Sequence, residues 1–197
     1  METLPRSLPL RSSCENKGVT TLPKSLKYAH VERERRYLSK GMTPGLRPTR
    51  VLRIQDRYIS DSSFRLRRID EEGNSPVFKL GQKKRIEGDS PLRIAHTTMY
   101  ISEDEFNLLA VLPANTLEKQ RLIFPLGDSH FAVDVFEGKL EGLLLAEVDL
   151  GSEGATHPAL PLEEFVEVTL DERFTGGKLA GTSSTDLQST LTEYGVN

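Results

Sequence analysis

His30-Val31-Glu32-Arg33-Glu34-Arg35-Arg36-Tyr37-Leu38 is the stretch on which the reading of this chain turns. Laid out as a β-strand, it sends alternate side chains to opposite faces. Glu32, Glu34 and Arg36 then share one face, and Val31, Arg33, Arg35 and Tyr37 the other. Two carboxylates beside a guanidinium make a poor apolar core, because buried charge without partners is costly. They suit a wet, charged cavity, where carboxylates hold a hard cation such as Mg²⁺ and a guanidinium grips phosphate. Taken alone, these nine residues also fit a solvated, salt-bridged strand or helix.

The composition narrows the choice. A chain of 197 residues can form one domain with a proper core. Its 26 basic and 29 acidic residues leave a net charge of −3, so no overall field points to nucleic acid. The charges are unevenly placed, basic residues being dense from Lys24 to Arg93 and acidic ones dominant from Asp128 to Glu172. A fold that joins these halves creates a mixed-charge surface or cavity. The single Cys14 excludes a disulfide framework or zinc cluster and fits a reducing, cytoplasmic location. No apolar run approaches the roughly 20 residues of a membrane span, and no membrane partner is expected. Residues 1–27 read as a flexible leader, 28–181 as the folded domain and 182–197 as a flexible, polar tail.

Along the domain, strand-like segments recur at 29–38, 51–60, 64–69, 76–80, 92–101, 116–124, 130–136 and 143–150. Asp70–Ser75 has hairpin-turn chemistry, and 81–90 reads as a basic, flexible connection. Ser102 and Glu105 form the capping-box pair of a helix that Pro113 ends. A short helix is expected near 161–165, and Lys178 after two glycines is read as a group at a cavity mouth or as a helix start. The expected fold class is α+β, mainly antiparallel β: an eight-stranded closed barrel with a few peripheral helices.

Charge then recurs at period two in strand after strand: Glu32/Glu34/Arg36, Arg65/Arg67, Lys79, Arg93, Lys119/Arg121, Asp134 and Glu147/Asp149. Pointed inward, these residues line the lumen of a small barrel, which is just wide enough for side chains or one small ligand. Such a lumen suits a polyanion gripped by Arg and Lys, with a divalent metal on the acids. Triphosphate fits better than a nucleic acid strand, since stacking aromatics are scarce on these faces.

Several of these segments resemble one family, the CYTH domains or triphosphate tunnel metalloenzymes. Glu32-Arg33-Glu34-Arg35-Arg36 is similar to its Glu-x-Glu-x-Lys signature, with Arg36 in place of Lys. Phe64-Arg65-Leu66-Arg67 resembles its Leu-Arg-x-Arg strand, and Phe78-Lys79-Leu80-Gly81 its lysine strand. Val133-Asp134-Val135-Phe136-Glu137-Gly138, Leu140-Glu141-Gly142-Leu143 and Ala146-Glu147-Val148-Asp149 resemble its C-terminal half. The resemblance implies a tunnel that binds triphosphate and transforms it with Mg²⁺ or Mn²⁺. It implies Glu32, Glu34 and Glu147 as metal ligands, with Arg36, Arg65, Arg67, Lys79, Lys119 and Arg121 on phosphate. The inward-charge pattern adds Arg93 to the phosphate set. Asp134 and Asp149 are the catalytic candidates, for a second metal or for orienting the attacking water.

One departure stands out. Where many members carry acids after the fifth-strand arginine, this chain has Arg93-Ile94-Ala95-His96-Thr97-Thr98. His96 and His130 are read as structural. The expected activity is metal-dependent hydrolysis of a triphosphate, inorganic tripolyphosphate before ATP, by a protein that pairs as a homodimer. Its rivals are a cyclase making cyclic AMP from ATP, a non-catalytic polyphosphate or nucleotide sensor, and an RNA-binding barrel.

Overall fold

A computed structural model of the chain describes residues 26–42, 45–86, 93–151, 159–160 and 165–196. Nine strands and three helices occur in the order β1 (His30–Ser39), β2 (Arg50–Ile59), β3 (Phe64–Glu71), β4 (Val77–Arg85), β5 (Arg93–Ile101), α1 (Glu103–Ala110), β6 (Ala114–Leu126), β7 (Ser129–Phe136), β8 (Leu144–Asp149), β9 (Phe165–Glu167), α2 (Gly176–Gly181) and α3 (Ser184–Glu193). Every pairing is antiparallel, and the sheet runs β5-β4-β3-β2-β6-β7-β8-β1 before β5 pairs again with β1. The result is a closed eight-stranded barrel with one extra strand, β9, on the end of β1. The α+β barrel expected from the sequence is the fold observed.

The opening stretch of sequence is the closing strand. Its first residues, His30–Arg33, pair with β5, and Glu34–Leu38 pair with β8. A barrel interior takes every second residue of each strand, so the charged face of β1 points inward together with Arg65 and Arg67 of β3 and Lys119 and Arg121 of β6.

Two apolar clusters flank this polar interior. One fills the lumen on the β1–β8–β7–β6 side, where inward positions turn from charged to apolar: Leu38, Leu117, Phe136 and Leu145. Phe174, Leu179, Leu187 and Leu191 of the C-terminal segment pack onto them. The other covers the outer face of the same strands and includes Tyr37, Val133 and Val148, with Phe124 stacked on Phe131 at a centroid distance of 5.1 Å. On the far side, α1 lays Phe106 against Phe78 of β4, 5.0 Å between ring centres. Both halves of its predicted capping box form, Ser102 and Glu105 bonding each other's backbone.

Two expectations are corrected here. β4 does not stop at Leu80 but runs on to Arg85, pairing with β5 along its whole length. Residues 184–193 of the expected tail form α3, capped by Ser183 accepting from the Asp186 amide, with Leu187 and Leu191 buried. The apolar pair at i and i+4 lies on one helix face, which binds this otherwise polar segment to the barrel. The helix expected near 161–165 falls largely outside the described residues, and Phe165 itself begins β9. No helix among the described residues is long and apolar enough to cross a membrane.

The packing of α3 can be measured directly. Leu187 is 1% exposed, so Leu187→Ala should cost about 2–5 kcal/mol in denaturant unfolding. Leu170→Ala, at a site 69% exposed, should stay within about 0.5 kcal/mol of the parent. Equal losses at the two sites would mean that α3 does not hold the floor of the barrel.

Candidate functional site

The polar part of the lumen is a cavity of about 420 Å³, within the roughly 300–1,000 Å³ of small-molecule sites. Glu32, Glu34 and Arg36 face it from β1, Arg65 and Arg67 from β3, and Lys83 and Arg85 from β4. His96 on β5, Lys119 and Arg121 on β6 and Glu147 on β8 complete the ring, with Lys84 at the wall. Eight cationic side chains and three carboxylates therefore share one small space.

Two buried aspartates hold the cations apart. Asp56, 1% exposed, accepts two hydrogen bonds of 2.7 Å from the Nε and Nη2 of Arg67 and lies 3.6 Å from Arg65. Burial alone would raise the Asp56 carboxyl, but the Arg67 charge and hydrogen bond, helped by Arg65 and Lys119, hold it at about 2. Asp134 takes Arg121 at 2.6 and 2.7 Å on its two oxygens and pairs with Lys119 as well. The same Arg121 Nη2 that bonds Asp134 also reaches Glu147. Burial would raise Glu147 too, yet Arg121, Lys119 and Lys83 keep it well below the usual carboxylate range. Burial pushes the Lys119 ammonium down, and neighbouring Arg121 adds to the shift.

A second network lies between β1, β4 and β5. Lys83 Nζ is 2.8 Å from Glu32 Oε2 and 3.3 Å from Glu34 Oε1. His96 bonds Glu32 through Nδ1 and the Thr98 hydroxyl through Nε2, the latter at 2.8 Å. Despite burial, the His96 and Lys83 contacts hold Glu32 at about 2. Glu34 moves the other way: burial pushes it up, Lys83 opposes this, and the charges of Glu147 and Glu32 add to the rise.

The structure thus gathers Glu32, Glu34, Glu147, Arg36, Arg65, Arg67, Lys119 and Arg121 at one cavity, as their sequence pattern predicts. It sets the remaining candidates elsewhere. Lys79 shares the inward side of β4, but it lies outside the cavity lining and its ammonium sits 4.7 Å from the centre of the Tyr100 ring. Lys83, four residues on, is the lysine in the cavity; it was missed because β4 was read as ending too early. Arg93 is one residue out of register, since Ile94 and His96 take the lumen face of β5 while Arg93 and buried Ala95 take the other. Asp134 is buried under Lys119 and Arg121 and ion-paired to both. Asp149 is exposed at the end of β8 and accepts from the Gly151 amide at 2.8 Å. Arg36 reaches the cavity but also ties down the C-terminal segment, donating to the carbonyls of Phe174 at 2.9 Å and Thr169 at 3.1 Å.

Asp56, Tyr58 and Gly81 are further lumen residues that the charge pattern did not single out. Gly81 sits close to the β5 side chains: a Cβ there would lie 3.3 Å from His96 Nε2, a tight approach that the imidazole would have to shift to relieve. Tyr58 is half-buried and packs against Gly176, where an added Cβ would fall 2.0 Å from its hydroxyl oxygen. The buried Nε of Arg65 faces Asp56 at 3.6 Å, an ion pair too long to count as a hydrogen bond.

Comparison with known proteins places this geometry in context. No family model and no curated protein matches the chain. Among solved structures, one described as the inorganic triphosphatase NE1496 is 27% identical, covering 77% of this chain and 95% of its own, with a TM-score of 0.49. Another structure of NE1496, described as a hypothetical protein, is 28% identical over 77% of this chain and 99% of its own, also at 0.49. A Bacillus halodurans protein (bh2851) proposed to be an adenylate cyclase is 13% identical, covers 86% of this chain and 92% of its own, and scores 0.43. Likeness at this level does not decide activity, which resides in the site.

The Asp56 clamp makes an acid-stability prediction. A carboxyl held at about 2, against 3.8 for a free aspartate, stabilises the fold above pH 3.8, and that contribution fades as pH falls toward 2. Asp56→Asn should cost about 3–5 kcal/mol at neutral pH, because it leaves Arg67 buried and unpaired. The gap from wild type should narrow in thermal melts as pH falls from 4 toward 2. A gap that stays constant would mean that Asp56 is not the charged partner.

Proposed function

We propose that the lumen binds a triphosphate and that the protein is a metal-dependent hydrolase of it, with inorganic tripolyphosphate the preferred substrate and ATP the next. One observation carries this reading: eight cations converge on a cavity of about 420 Å³, well beyond what its three lining carboxylates neutralise. Two aromatics, Tyr58 and Phe64, are among the lining residues, and Tyr58 is packed against Gly176. A small, highly charged anion matches such a lumen better than a nucleoside or a nucleic acid strand.

Arg65, Arg67, Lys83, Lys119 and Arg121 are the donors to phosphate oxygens in this proposal. Asp56 and Asp134 hold four of the five in position before substrate arrives, so little reorganisation accompanies binding. Glu32, Glu34 and Glu147 are the residues that would hold Mg²⁺ or Mn²⁺. Their donor chemistry fits, being hard carboxylate oxygens, and a divalent cation would offset the burial, and the Glu147 and Glu32 charges, that raise Glu34. When bound there, the ion would supply Lewis-acid polarisation of the phosphoryl group. In phosphoryl transfer the protein mainly positions and neutralises, and this lumen has the groups for both tasks. With Asp134 engaged and Asp149 turned to Gly151, neither aspartate supports the water-orienting role expected from the sequence.

The test is phosphate release from tripolyphosphate with Mg²⁺ or Mn²⁺, alongside calorimetric binding. Arg65→Ala, which leaves the Asp56–Arg67 pair intact, should weaken binding about 10- to 100-fold. Glu32→Gln and Glu34→Gln should abolish turnover while leaving the fold intact. Binding without turnover in any divalent metal would replace hydrolysis by polyphosphate sensing. Cyclic AMP and pyrophosphate from ATP would mark a cyclase, and absence of binding would end the proposal.

A further inference from the structure

Each of the three carboxylates assigned to a divalent ion already has a cationic or imidazole partner from the protein itself. Glu147 is taken by Arg121, and one oxygen of Glu32 by His96. Lys83 then reaches in from β4, two strands from β1 across β5, and sets its ammonium 2.8 Å from the other Glu32 oxygen and 3.3 Å from Glu34. Among the described residues no three metal-binding side chains converge on one point. A bare divalent ion approaching Glu32 and Glu34 therefore meets a fixed positive charge in its path, in a confined space where water screens little.

The geometry points to Lys83 as a built-in counter-ion that excludes free Mg²⁺ or Mn²⁺ from Glu32 and Glu34 until a polyphosphate draws its ammonium away. Lys83 lines the same cavity as Arg65 and Arg67, so phosphate oxygens bound to those guanidinium groups offer it an alternative partner. Polyphosphate and metal then bind with positive coupling, each making room for the other. The resting protein avoids loading a metal with no substrate present. This coupling rests on the lumen being a polyphosphate site, whereas the exclusion of free metal does not.

Mn²⁺ alone is the probe, titrated into the full chain without phosphate and followed by calorimetry and by the electron paramagnetic resonance of free Mn²⁺. Wild type should bind weakly. Lys83→Met should bind at least about tenfold more tightly, and adding Glu32→Gln should remove the gain. Lys83→Arg, which restores a cation, should bind as weakly as wild type. Equal Mn²⁺ affinity in wild type and Lys83→Met would overturn the inference. If Lys83→Met does not fold, Lys83→Gln is read in the same way. Tripolyphosphate titrated into wild type in chelator is a separate arm: no binding there defeats the proposed function and with it the coupling, while the Mn²⁺ comparison still decides the role of Lys83.

Discussion

The barrel can exist in this form because two buried aspartates neutralise cations that would otherwise repel each other. Asp56 and Asp134, each 1% exposed, stand on neighbouring parts of the wall, one at Arg65 and Arg67, the other at Lys119 and Arg121. Strand pairing enforces the match, as Arg67 lies directly across from Asp56 and Arg121 directly across from Asp134. Each bond is worth little net once desolvation is counted. Their effect is to fix guanidinium planes at chosen angles, so that the surplus of positive charge is aimed inward and remains there. A polyanion of the kind proposed would meet donors already in place.

Much of this was legible in the sequence, for a physical reason. Period-two alternation in a closed sheet leaves only two destinations for a side chain, so Glu32, Glu34 and Arg36 announced the lumen, and Arg65, Arg67, Lys119, Arg121 and Glu147 followed by the same rule. Failures came where register or strand length was misjudged. Gly81 looked like a break after Leu80, whereas it is a strand residue paired with Thr98 of β5. That error promoted Lys79 over Lys83. One residue of slip on β5 likewise turned Arg93 inward when Ile94 and His96 hold that face. Asp56 was passed over because a single acid between Gln55 and Arg57 carries no pattern of its own, and only its strand partner reveals what it does.

The C-terminal segment shows a different limit. Its composition is polar; a helix start was legible at Gly176-Gly177-Lys178, where α2 begins, but the run from Thr182 to Thr192 promised no packed element. Leu187 and Leu191, four apart behind the Ser183 cap, were the available signal, but they gain meaning only when a surface exists to receive them. Arg36 joins the two parts: it faces the cavity while its guanidinium donates to the carbonyls of Thr169 and Phe174. Tyr58 does the same by shape, filling the space left by the missing Gly176 side chain.

That dependence has a consequence for the order in which the molecule comes into being. All eight staves of the barrel are present in the chain once Asp149 has been made, yet the packing beneath Arg36 and Tyr58 comes from residues 168–191. A nascent polypeptide halted between these points would carry every charged group of the chamber without the base against which they are set. The packed base of the chamber is thus supplied by residues that follow the barrel strands, and a product halted after Asp149 would have the walls without their support.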